Sequence, residues 1–164
     1  MNKKILLGFL SAILFMACFS AKSQTKRYKF PEHLPGVQKQ LVSSTIETST
    51  INFTIGDYIL NEVKINGQAA FMPQLEGATP ILRKGAPELL KLTASVIIPD
   101  DTEMQVKVIS TQYTEYAGVL IAPSKGNIKR DQDPASVPYA FGEVYQRNEF
   151  FPGALAELRE PYIM

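Results

Sequence analysis

The sequence predicts an all-β chain, an antiparallel β-sandwich behind a cleavable export signal. Three observations carry that reading. Within residues 85–126, Leu90, Leu92, Ala94, Val96 and Ile98 alternate with Lys91, Thr93 and Ser95, the period-two pattern of a half-buried strand. Turn residues recur about every ten positions, the spacing expected of a sandwich. No stretch has the pattern of a long helix; residues 88–92 have helical propensity, but Pro87 before them and the alternation after them favour a strand.

Residues 1–23 read as the signal. Lys3 and Lys4 form its basic start, residues 5–17 an apolar run short for a bilayer, and Ala21-Lys22-Ser23 a small-residue cleavage site before Gln24. The alternative is a lipidated Cys18, against which stands Phe15, three positions upstream, where leucine is usual. Cys18 is the only cysteine, so no disulfide framework exists and the exported domain must rely on its core. No membrane span is expected in the mature form. The chain has 17 Lys+Arg and 16 Asp+Glu; cleavage removes Lys3, Lys4 and Lys22 and leaves 14 against 16, a charge of −2. So balanced a surface excludes general affinity for nucleic acid, which needs a strong positive field. The remaining length, about 140 residues, suits one domain, and 45% hydrophobic content suffices for a core.

Residues 24–40, with Lys26, Arg27, Lys29, Pro31 and Pro35, read as an exposed lead-in, and 41–164 as the sandwich domain. His33 in the lead-in has no second histidine or surviving cysteine with which to build a metal or catalytic site. Residues 43–49 are a strand or a polar approach to one, and Ile51, Phe53 and Ile55 alternate with Asn52 and Thr54. Residues 58–65 are the next strand. Asn66-Gly67, both tolerant of positive φ, is the strongest hairpin signal in the chain and returns it through 68–72. The central meander follows. Its first strand ends at Pro99, its second is 104–113, and 116–122 reads as a strand buried on both faces. The expected core includes Leu92, Ala94, Val96, Val106, Val108, Val119 and Ile121.

The last third is loop-like. Residues 123–134 carry Lys125, Lys129 and Arg130 with no acid before Asp131, on a segment too rich in Gly, Asn and Pro for regular structure. Such a cluster is either a solvated connection or a recognition loop. Asp131 and Asp133 have the D-x-D spacing of a calcium loop but lack the glycine and distal glutamate that complete one, so no metal is expected. Tyr139, Phe141, Tyr145, Phe150 and Phe151 either close the end of a core or present rings to a partner. No Ser-His-Asp set, phosphate loop or paired carboxylates appears, and no motif calls for a cofactor.

The order Gly85-Ala86-Pro87-Glu88-Leu89, Ile98-Pro99, Ile121-Ala122-Pro123-Ser124-Lys125-Gly126, Pro138-Tyr139, Tyr145, Phe151-Pro152-Gly153, Leu158 and Pro161-Tyr162-Ile163 resembles the N-terminal propeptide of gingipain-like cysteine peptidases. Leu90 departs from it, standing where the family often has a second proline. The resemblance implies a β-sandwich prodomain that precedes a caspase-like catalytic domain in cis, assists its folding and keeps it latent. It also implies export through the periplasm to the medium or cell surface by the type IX route. The family's catalytic Cys and His are absent, so the expected polypeptide is no enzyme by itself. Residues 159–164 read as a strand in progress, as in a fragment, or an early-terminated reading frame, of a longer precursor. If the peptidase prefers a basic residue, its acidic pocket would accept Arg130 first, Lys129 second and Lys125 third as substrate mimics, with the five aromatics docking beside them. The alternative from another class is a cell-surface sandwich that binds glycans or an envelope protein through those rings.

Overall fold

The structure, a computed structural model, describes residues 25–28, 34–99 and 102–159. The signal segment, Cys18, His33 and the last five residues lie outside the described residues. Among the described residues seven strands follow in order: β1 Thr25–Tyr28, β2 Val37–Ser44, β3 Ser49–Ile55, β4 Tyr58–Ile65, β5 Gln68–Gln74, β6 Thr79–Pro80 and β7 Leu90–Lys91. Two single turns of 3₁₀ helix, Pro134–Ser136 and Glu143–Gln146, come after them. The strands pair antiparallel as β1-β4-β5, β2-β3 and β6-β7. The chain is therefore mostly strand and loop, in keeping with an all-β class.

The hairpin β4–β5 is the centre of the fold. Asn66 at φ 50° and Gly67 at φ 82° form its two-residue turn, and this left-handed pair matches the right-handed twist of the flanking strands. Register follows from the turn: Ile65 faces Gln68, Val63 faces Ala70, and Glu62 faces Phe71. β1 adds to the outer edge of β4, so part of the expected lead-in is a strand. β2 also begins inside that stretch and runs against β3 as an exposed ribbon, closed by Thr45, whose hydroxyl accepts the Thr48 N–H at 3.0 Å. Gly56 ties the ribbon's base to the lead-in: its N–H donates to Gly36 O at 2.7 Å, and any Cβ there would collide with the Leu34 carbonyl.

The other edge of β5 is filled by residues 120–122. Phe71 N–H donates to Leu120 O and Ala122 N–H to Phe71 O, both at 2.8 Å, making a short parallel link. Side-chain alternation then gives the sheet two packed faces. On one, Ile65, Ala70 and Ala122 are buried, with Val63, Met72, Leu120 and Tyr139 packed against them. Leu60 and Phe71 are buried on the other.

The central meander departs from expectation. Beyond Lys91, residues 92–98 and 103–115 run without ladder partners among the described residues, and of the expected third strand 120–122 joins a sheet. Val96, Val106 and Val108 are 39%, 47% and 44% exposed, Ala94 is exposed, and Leu92, Val119 and Ile121 are half-buried, so the expected core list is corrected. The physical reason is edge availability. β1 occupies one side of the β4–β5 hairpin and 120–122 the other, so this central sheet offers the patterned segments no edge. Val106→Ala should accordingly lower the free energy of unfolding by less than about 0.5 kcal/mol rather than the ~1–3 kcal/mol of a core truncation, as denaturant titration would measure.

Candidate functional site

The basic loop is anchored on a buried corner. Ala122, Pro123 and Ser124 are enclosed, and the chain here lies against the Gly85-Ala86-Pro87-Glu88 stretch. Glu88 N–H donates to Ala122 O at 2.9 Å, Ser124 N–H to Ala86 O at 2.7 Å, and Gly85 N–H to Ser124 O at 2.9 Å. The buried Ser124 hydroxyl accepts from Gly126 N–H at 3.2 Å, so its polar atom is satisfied. Gly85 O also receives the Gly142 N–H at 2.8 Å, which brings the aromatic segment to the same corner.

From this corner the three bases take different places. Lys125 turns back across the loop: its ammonium donates to Pro134 O at 2.8 Å and lies 4.4 Å from the centroid of the Tyr139 ring. It therefore clasps the two ends of the loop together. Asp133 fixes the far end by accepting Ala135 N–H at 2.9 Å, and Ser136 Oγ donates to Asp133 O at 2.6 Å. Asp133 is thus spent as a cap. Between the ends, Gln132 N–H donates to Lys129 O at 3.1 Å and closes a four-residue turn with Arg130 and Asp131 at its tip. The side chains of Lys129 and Arg130 are exposed and make no hydrogen bond or ion pair among the described residues. An open cleft of about 340 Å³ lies beside the loop, lined by Leu82, Lys84, Ile128 and Gln132 among others.

The five aromatics divide between internal and outward positions. Tyr139 is half-buried, its hydroxyl donating to Met72 Sδ at 3.3 Å. Tyr145 donates to Ile121 O at 2.8 Å and meets Phe141 edge-to-face at 4.8 Å. Phe151 is half-buried with the Arg83 guanidinium 5.7 Å from its ring centroid, whereas Phe150 is 95% exposed. Burial, and secondarily the Glu88 carboxylate, raises the Tyr139 pKa and pushes that of Tyr145 up to about 12. The folded state holds the Tyr145 proton more tightly than the ordinary phenol value of 10.0, so its contribution is complete below pH 10 and is lost as pH rises toward 12. Tyr145→Phe is expected to cost about 1 kcal/mol at neutral pH, the worth of one hydrogen bond, and to flatten the alkaline loss of stability between these two limits. Denaturant titrations of both proteins at neutral pH and pH 11 measure both effects.

Sequence reasoning found the bases and rings but not the corner that joins them. Ser124, Gly85 and Glu88 act through backbone contacts, for which residue type gives little signal beyond the GAPE run itself. Among the described residues no group of three metal-ligating side chains occurs, and no helix is long and apolar enough to cross a membrane.

Residues 32–164 match the family model described as Propeptide_C25. The chain is 32% identical over its whole length to Gingipain R1 of Porphyromonas gingivalis, covering 9% of that protein, and 34% identical over 77% of its length to Gingipain R2 of the same organism, covering 17% of it. It thus spans less than a fifth of these relatives. Among solved structures it superposes, with a TM-score of 0.68 and 31% identity, on a chain from the complex of Porphyromonas gingivalis RgpB pro- and mature domains, covering 77% of this chain and 66% of that one.

Proposed function

This chain belongs to the Propeptide_C25 family of gingipain propeptides, and from that premise we propose that it is the inhibitory and chaperoning prodomain of a cysteine endopeptidase in the same precursor. As a propeptide it is not the catalytic unit. The partner is the mature peptidase domain, as in the solved complex of the RgpB pro- and mature domains. Export directed by residues 1–23, with passage through the periplasm and the type IX route to the medium or cell surface, belongs to the same reading, as does a sandwich over 41–164.

The observation that carries the proposal is the turn Lys129 to Gln132, which projects Arg130 into solvent from a loop clasped at both ends. A guanidinium so held fits an acidic specificity pocket as a substrate would, through two parallel hydrogen bonds to a carboxylate. Order in the loop lowers the entropy that binding must spend. Lys129 is the neighbouring alternative. Lys125, already committed to Pro134 and Tyr139, acts by holding the loop. Phe150 and Phe141 are the rings best placed to meet the peptidase, since Tyr139 and Tyr145 spend their hydroxyls inside and Phe151 is half-buried. That same inward commitment disfavours a glycan platform, which needs several exposed rings together.

The test is to add the purified chain to its own mature peptidase. Stoichiometric inhibition is expected, and the chain alone should hydrolyse no peptide with or without reductant. Absence of inhibition at micromolar concentration, or hydrolysis that survives repurification, would overturn the proposal.

A further inference from the structure

The two limbs of the Arg130 loop are held very differently. The near limb starts from enclosed backbone: Ala122, Pro123, Ser124 and Gly126 are all buried. On the far limb every residue from 131 to 136 is exposed, and the first to turn inward are the half-buried Val137 and Tyr139. A segment with so few buried contacts opens easily unless something else ties it down. The tie is a pair of side chains. Lys125, half-buried on the near limb, reaches Pro134 O at 2.8 Å, and its ammonium lies 4.4 Å from the Tyr139 ring centroid. Tyr139 is in turn seated on the sheet: it packs against the buried cluster of Ile65, Ala70 and Ala122, and its hydroxyl donates to Met72 Sδ at 3.3 Å. A lysine stem is flexible, so one bond from it to an exposed carbonyl gives little order by itself. A ring face under the ammonium adds a second attraction, and a ring already packed has little freedom left to lose.

We infer that Tyr139 is a positioning residue for inhibition: acting through Lys125, it carries the order of the β4–β5 sheet to the far limb of the loop and so fixes the turn that presents Arg130. The inference rests on the prodomain reading above. Tyr139 needs no contact with the peptidase in this role, because it works by keeping the loop in the shape that binds. An aromatic ring that merely closes the end of a core would also be costly to remove, but the two roles differ in their coupling to Lys125. The effect of a core-closing ring is independent of that ammonium. The effect of a positioning ring vanishes once the ammonium is gone. Phenylalanine at 139 keeps both the ring face and the packing and loses only a bond to a weak sulfur acceptor, so it preserves the role, whereas leucine is apolar but offers the cation no face.

The test adds the full chain to its mature peptidase as wild type, Tyr139→Leu, Tyr139→Phe, Lys125→Ala and the double variant Lys125→Ala/Tyr139→Leu. Tyr139→Leu should weaken inhibition about tenfold, as Lys125→Ala does, and the double variant should lie within about twofold of Lys125→Ala alone. Tyr139→Phe should stay within about threefold of wild type. In the free chain, proton NMR should find the Lys125 ε-methylene signal moved upfield by the ring current in wild type and Tyr139→Phe, and returned to an ordinary lysine position in Tyr139→Leu. Effects of the two single changes that multiply in the double variant would mean that the ring acts through the core alone, and would overturn the inference. So would an ordinary Lys125 signal in the wild-type chain, a result that depends on no variant folding. Failure of the wild-type chain to inhibit at all would overturn the prodomain reading, and this role with it, whereas intact inhibition with an unshifted Lys125 signal would overturn this inference alone.

Discussion

Phe71→Ala is expected to lower the free energy of unfolding by about 3–5 kcal/mol, the range for deleting a buried phenylalanine from a packed core. Phe71 is 6% exposed and sits where two ladders meet. It faces Glu62 of β4 across one edge and exchanges both backbone hydrogen bonds with Leu120 and Ala122 across the other. The Lys26 ammonium of β1 lies 4.4 Å from the centroid of its ring. Truncation would therefore leave a void beneath β1 and loosen the seating of 120–122, from which the loop corner is built. The midpoint of urea denaturation should fall with little change in slope, since the surface exposed on unfolding is nearly the same. A loss below about 1 kcal/mol would mean that the ring sits in a site able to collapse, and that the core lies on the Ile65 and Ala70 face alone.

What could be read in the sequence depended on whether the signal was local. Residues 58–65 and the Asn66-Gly67 turn carry their own instructions, alternation and positive φ, and β4 has the expected bounds. β1 was illegible because Thr25, Lys26 and Arg27 have no strand pattern; the open edge of β4 recruits them. The opposite error fell on 92–115. Period-two alternation there states which side chains share a face, but says nothing of whether a ladder partner exists. In the site, composition revealed three bases on a turn-rich segment. It could not separate Lys125 from Arg130, because the Lys125 clasp depends on a carbonyl at Pro134 and a ring at Tyr139, brought near only by the fold.

That separation makes the three bases unequal in an inhibition assay. With the chain added to its mature peptidase, Arg130→Ala is expected to weaken inhibition about 30- to 1000-fold, because a desolvated anchor is commonly worth ~2–4 kcal/mol. The size reflects what remains after truncation, a carboxylate pocket left without its cation in a site closed to water. Lys129→Ala should cost only a few-fold, since its side chain flanks the tip and meets solvent or the rim. Lys125→Ala removes no anchor but frees the loop ends, so inhibition should fall by about tenfold through the cost of reordering the loop. Its signature is distinct. Faster proteolysis by an unrelated enzyme should accompany the Lys125 change and be absent for Arg130→Ala, whose turn is held by backbone groups of Lys129 and Gln132. Arg130→Lys keeps the charge but loses the bidentate geometry, and should fall between wild type and alanine. If all three alanine variants inhibit like wild type, the loop is only a connection and latency resides elsewhere on the surface.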